Sequence, residues 1–432
     1  MALDISKEVD LAETLPRIVV APLAQKPMKT HLHYIDGMRA LAALYVVVHH
    51  AFLEIWPDAN TQNYFIGLFR YGHFAVSVFI VLSGFSLMIP IARNESRLAG
   101  GAVQFYIARA RRILPPYYFA TGLSLVLIYL FIGQPTGSHW DVSIPVTSND
   151  ILYHVLLLQD IYGGAKINHA FWSISVEWHI YIFFPLLVVL HRIGGMLALA
   201  AVIITSFVAF VVVGHTTLGS TYWLDSGYTK ISLTYFALFG IGMLSAVIAF
   251  SPKQRWQHLH QTIPWLPIAG MIALIMWHVN AAMQLPTYVP SYNYFTDLAF
   301  VDLLIALVAA CLLIAGACEG NNIVKAVIGW KPLAFVGTFA YSIYLIHAPL
   351  IHMVWLFIAR PLHRSDTTTF VLLVAVGVPL IVACSYGFYL VCERPFVSTK
   401  RKDTLAPSTI NGAPSPATAG VGASDEHVRG IL

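Results

Sequence analysis

Long apolar runs broken by short polar stretches recur along most of the chain. A helix needs about 20 apolar residues to cross the hydrocarbon core of a bilayer. With that length as the ruler, ten runs qualify: roughly 38–56, 72–90, 114–133, 171–190, 194–213, 231–250, 264–280, 298–317, 333–358 and 370–392. The pattern predicts an all-α fold, a polytopic membrane bundle of about ten transmembrane helices. Residues 151–158 form a shorter apolar run, expected to be interfacial or re-entrant. No internal repeat or soluble domain is visible. The predicted organisation is an N-terminal segment 1–32, a transmembrane domain 33–396 and a disordered tail 397–432, rich in Ser, Thr, Pro, Gly and Ala.

Composition excludes a soluble fold. Hydrophobic residues make up 58% and charged residues only 11% of the 432, against about 25% charged in soluble domains. The placement of charge gives a direction. Arg39 aside, the odd-numbered loops hold only Arg70, Lys166, Lys230, Arg360 and Arg364, while the other nineteen Lys and Arg lie at the termini and in even-numbered loops. The positive-inside rule then predicts cytoplasmic termini and an outward-facing loop 134–170. Residues 1–30 lack the basic, apolar and small-residue succession of a secretory signal. The four cysteines, Cys311, Cys318, Cys384 and Cys392, have no metal-ligand spacing and read as small packing residues, so no metal is expected.

Ionisable groups inside spans are costly and therefore functional candidates. Arg39 and His50 are eleven residues apart, close to three helical turns, so both lie on one face of the first helix, with His50 about 16 Å deeper. His49 is rotated by about 100°. His50 can act as a general base near neutral pH; Arg39 can equally be a snorkelling anchor. Ser173, Glu177 and Tyr181 form a stripe at i, i+4 and i+8, with Glu177 about 9 Å inside the membrane and able to orient the imidazole. Trp172 precedes that stripe. The second span carries His73, Ser77, Ser83 and Gly84; the glycine allows either close helix approach or room for a slim ligand. His347 is another imidazole at membrane depth, three residues after Tyr344. Arg109, Arg111 and Arg112 can hold phosphates through charge-assisted hydrogen bonds, although positive-inside bias alone also produces such a cluster.

Six stretches in collinear order resemble the acyltransferase-3 family of membrane acyltransferases. They are Tyr34 to His50, with an arginine, ten residues, then a histidine; Gly72 to Phe85; Arg109 to Pro115, with Arg-x-x-Arg on Arg109 and Arg112; Trp172 to Pro185, with Trp-Ser-x-Ser-x-Glu; Tyr341 to His347; and Glu393 to Phe396. Two positions depart from the family pattern: Ser77 where many members have aspartate, and Trp178 where a second acidic residue is common. The resemblance implies transfer of an acyl group, usually acetyl from acetyl-CoA, to a hydroxyl of a carbohydrate or lipid-linked glycan in the bacterial inner membrane. On that basis His50 is the expected general base and Glu177 its catalytic partner. Arg39, His73, Ser83, Trp172, Ser173, Tyr181 and His347 are expected at the substrates. Arg109, Arg111 and Arg112 are expected at the CoA phosphates. Membrane lipid is an expected partner and nucleic acid is not. The rival reading is a transporter or flippase for a lipid-linked sugar, which would not depend on an acyl donor.

Overall fold

A computed structural model describes residues 32–58, 61, 63–93, 98, 100–162, 164–215, 231–283 and 294–397. The N-terminal segment and the C-terminal tail predicted above lie essentially outside the described residues, as does most of the loop around Lys230. Among the described residues the structure is helical, with no strand.

Eight helices are long and apolar enough to cross a membrane: α1 His33–Ile55, α2 His73–Arg93, α3 Gly101–Ile132, α4 Trp172–Ala209, α5 Leu233–Phe250, α7 Phe300–Ala317, α8 Ala340–Leu362 and α9 Asp366–Phe396. A ninth, α6, is a pair, Gln254–Thr262 and Trp265–His278, bent by 61°. The protein is an integral membrane protein. The difference from ten resides in α4. Its 38 residues would rise about 57 Å if straight, nearly twice the ~30 Å hydrocarbon core. Gly195 interrupts it with φ 62° and ψ −146°, a conformation that residues with a Cβ rarely adopt. Gly195 therefore separates two helices that correspond to the two expected spans 171–190 and 194–213.

Residues 148–155 form a helix, Ser148–Val155, far too short to span. Thr147 and Asp150 close it with a capping box. Ile151, Leu152, Val155 and Leu156 are exposed along it while Asp150 and His154 are buried, the two-faced distribution expected of an interfacial segment. Of the cysteines, Cys311 is buried and Cys384 exposed; all four are free. Packing alone therefore accounts for Cys311 but not for Cys384.

Lipid tails are as apolar as leucine, so helices associate in the membrane largely through close van der Waals contact. The α2–α5 pair shows this directly. A Cβ placed on Gly84 would collide with the Phe239 carbonyl oxygen, and one on Gly242 with the Val81 carbonyl oxygen. The two glycines let the backbones meet reciprocally. Of the two roles open to Gly84, close approach is the one realised. Gly84→Val and Gly242→Val should each destabilise by about 1–3 kcal/mol through overpacking. Gly270, with nothing near its Cβ position, should accept alanine without loss; thermal unfolding in detergent measures all three.

Candidate active site

Polar side chains that helices carry into the membrane gather in three groups. The first surrounds His50, near the end of α1. Its Nδ1 stands 3.1 Å from His169 Nε2. His169 belongs to the segment that leads into α4, and its Nδ1 is 3.0 Å from Ser143 Oγ, which also accepts the His169 backbone N–H. The rings of His347 and His139 lie 5.0 and 5.9 Å from that of His50. His347 donates Nδ1–H to the Tyr344 carbonyl on its own helix at 2.7 Å, and its buried Nε2 has no hydrogen-bond partner. His50 itself is only half-buried despite these neighbours.

The loop histidines are electrically quiet. Burial holds His169 well below the ordinary histidine value, and the adjacent imidazoles of His139 and His347 add to the effect. His139 is lowered by burial too, partly offset by the carboxylate of Glu54. Both are neutral near pH 7. Glu54, one turn beyond His50, is buried with His352 Nδ1 3.2 Å from its Oε2.

The second group holds the carboxylate expected at His50. Glu177 accepts hydrogen bonds from Ser83 and Tyr181 instead, and these hydroxyls also touch each other. Its charged neighbour is Arg109. The expected Glu177–His50 contact is therefore replaced by His169–His50. Ser173, although on the same stripe of α4, turns to α8: its Oγ is 2.5 Å from the Tyr344 hydroxyl. Arg39 donates to Asp36 at 2.7 Å and to Ser86 on α2 at 2.8 Å. Arg39, Arg109 and Arg112 are mutual electrostatic neighbours. The basic run lies within α3 rather than ahead of it, so Arg109 and Arg112 share a face at i, i+3. Arg111 lies on another face; Arg109 is half-buried, while Arg111 and Arg112 are both exposed. Arg109 Nε is buried without a hydrogen-bond partner, which few buried polar atoms lack.

The third group joins α2, α5 and α7. His73 Nε2 is 3.3 Å from Asp302 Oδ2 and 3.2 Å from the Tyr235 hydroxyl. Ser77 donates to Asp302 Oδ1. The His73 ring stacks on Trp172, which stacks on Tyr235, with centroids 5.9 and 5.8 Å apart. Asp302 thus brings from α7 the carboxylate that position 77 does not carry.

The sequence profile of a family described as an acyltransferase domain matches residues 32–390. The chain belongs to that family. It is 26% identical over 336 residues to the peptidoglycan O-acetyltransferase OatA of Listeria monocytogenes serovar 1/2a (strain ATCC BAA-679 / EGD-e), a match covering 73% of this chain and 49% of that one. To YrhL of Bacillus subtilis (strain 168) it is 25% identical over 339 residues, covering 74% and 49%. To the acyltransferase MdmB of Streptomyces mycarofaciens it is 30% identical over 164 residues, covering 37% and 40%. The chain spans about half the length of OatA and YrhL. No solved structure matches it.

For this acyltransferase-family chain, sequence reasoning passed over His139, Ser143, His169, Glu54, Tyr235 and Asp302. Histidines in a loop that follows a membrane span, and single acidic residues in apolar runs such as Glu54 and Asp302, were the available signals. Asp302→Ala should leave the buried Ser77 hydroxyl without its acceptor and His73 with Tyr235 alone, at about 1–3 kcal/mol. Ser77→Ala in that background should recover part of the loss, read as a double-mutant cycle of thermal midpoints.

Proposed function

We propose that this protein is a membrane-embedded O-acyltransferase. It moves an acyl group, acetyl in the simplest case, from acyl-CoA to a hydroxyl of a cell-surface carbohydrate such as peptidoglycan. The observation that carries the proposal is the His50–His169–Ser143 relay. If His169 donates Nδ1–H to Ser143 and accepts Nδ1–H from His50 at Nε2, the remaining lone pair of His50 sits on its Nε2. That nitrogen is then the general base for the acceptor hydroxyl. The alkoxide attacks the thioester carbonyl, the C–S bond breaks, and the thiolate of CoA takes the proton from His50. His169 holds the ring in the base-competent tautomer, the role that a carboxylate fills in hydrolase triads.

The arginines Arg39, Arg109 and Arg112 suit the phosphates of the donor. Arg39 and Arg109 are half-buried and Arg112 is exposed; like charges brought together repel, and an anion bound among them relieves the repulsion. By the positive-inside count this end faces the cytoplasm, where acyl-CoA is made. The imidazole end then faces outward, toward the glycan. Ser83, Glu177 and Tyr181 lie between the two ends and are assigned to the thin acyl-pantetheine arm. His73 and Trp172 are assigned to the acceptor side. Dependence on an acyl donor separates this reading from a flippase.

The test is transfer of labelled acetyl from acetyl-CoA to glycan fragments by the purified protein. His50→Ala should lower kcat by about 10²–10⁴-fold, the usual worth of a general base. Near-full turnover would remove His50 from that role. His169→Ala should lower kcat with little change in KM for either substrate, and an unaltered kcat would break the relay. Arg109→Ala combined with Arg112→Ala should raise the KM for acetyl-CoA about tenfold, the effect of losing roughly 1.4 kcal/mol of uniform binding. An unchanged KM would take the arginines out of the donor site.

A further inference from the structure

His50, His139 and His169 come from three separate stretches of chain, yet each offers a ring nitrogen within 4.8 Å of the others. Two of those nitrogens, His50 Nδ1 and His169 Nε2, are 3.1 Å apart. Two imidazoles bound to one tetrahedral zinc ion at about 2.0–2.1 Å place their nitrogens about 3.3 Å apart. The separation fits a shared ion as well as it fits a shared proton. The third ring, His139, is half-buried on the loop after α3, and a side-chain rotation can bring its nitrogen the remaining distance. His169 is braced from behind by Ser143, as ligating histidines generally are. A fourth nitrogen is close at hand. His347 spends Nδ1 on its own helix backbone, so its Nε2 faces away from that helix. This Nε2 is buried and without a partner, on a ring 5.0 Å from that of His50. An all-imidazole set suits zinc, copper, nickel and cobalt, and not the oxygen-seeking magnesium or calcium.

We propose that this cluster is a binding site for a divalent transition-metal ion, and that the ion inhibits the enzyme. The inhibition rests on the assignment of His50 as the base; the binding does not. The ion takes the lone pair of His169 Nε2 and, at His50, that of Nδ1. The single N–H of the neutral His50 ring must then move from Nδ1 to Nε2. No lone pair remains to receive the acceptor's proton, so the metal and the hydroxyl proton compete for one imidazole.

Chelator-stripped protein in detergent, titrated with Co²⁺, tests the binding by visible d–d absorption and by metal analysis after desalting. One equivalent per chain with tetrahedral intensity is expected. Loss of an outer-shell partner already costs about 10–100-fold in metal affinity, so His139→Ala should weaken Co²⁺ by at least that much. His139→Cys should retain the ion and add a sulfur-to-cobalt charge-transfer band. This second variant keeps the test valid if the alanine protein folds poorly. Absence of Co²⁺ binding, binding unchanged in His139→Ala, or a cysteine variant that binds without the sulfur band each overturns the site. The inhibitory half is read as Zn²⁺ dose dependence, scaled to each variant's own metal-free transfer rate. Inhibition in the native protein that EDTA reverses, and that His139→Ala shifts to at least tenfold higher Zn²⁺, supports it. Stimulation by Zn²⁺, or inhibition equal in both proteins, overturns it. Failure of the Co²⁺ arm leaves the acyl-transfer reading intact, and failure of acyl transfer leaves the Co²⁺ arm intact.

Discussion

No water reaches the hydrocarbon core, so each polar side chain carried into it must find its partner within the bundle. That requirement organises this protein. Ser83, Glu177 and Tyr181 satisfy one another across α2 and α4. Ser77 and His73 meet Asp302 across α2 and α7. On α9, Glu393 accepts from Ser342 of α8. His50 finds no such partner on a neighbouring span, and the long loop between α3 and α4 folds inward to supply one. The same loop secures itself there: Asn168, beside His169, donates its side-chain amide to the Leu345 carbonyl at 3.2 Å. The loop therefore packs into the helix bundle, and its histidines border His50 rather than standing apart from it.

This arrangement separates two chemistries along one bundle. Guanidinium groups collect near the start of α1 and the first turns of α3, and imidazoles collect at the opposite end of α1. A cofactor with a phosphate-rich head and a reactive tail matches such a division. The glycine-mediated contact of α2 with α5 fixes the wall between the ends, because Ser83 is immediately followed by Gly84. Its hydroxyl meets Glu177 and Tyr181 from a helix packed backbone to backbone against α5.

Much of this was legible in the sequence. Apolar length is what a bilayer selects for, so the spans could be read with a ruler, to within the broken helix at Gly195. The eleven-residue spacing placed Arg39 and His50 on one face, but the face that Arg109 and Arg112 share was not legible, because the run was expected ahead of its helix rather than within it. Pairing between helices was not legible. Depth along a helix says how far in a residue lies but not which neighbour it turns toward, so Glu177 and His50 could agree in depth and still have different partners. His139 and His169 lie 89 and 119 residues beyond His50, and no local spacing joins them. Asp302 sits alone in an apolar run, where only the tertiary position of Ser77 and His73 explains it.

In the proposed mechanism, an imidazole rather than a carboxylate behind His50 changes the character of the base. A carboxylate partner would stabilise the imidazolium by direct charge attraction and would make the protonated state a resting place. Neutral His169 offers a hydrogen bond without a full opposite charge. The proton that His50 takes up in the proposed mechanism is therefore held less tightly and passes more readily to the departing thiolate. Glu54 acts on His139 through space and contacts His352. It moderates the field around the imidazoles without claiming the proton. Such a base suits a transfer in which the proton taken from one substrate must be returned to the other within the same turnover.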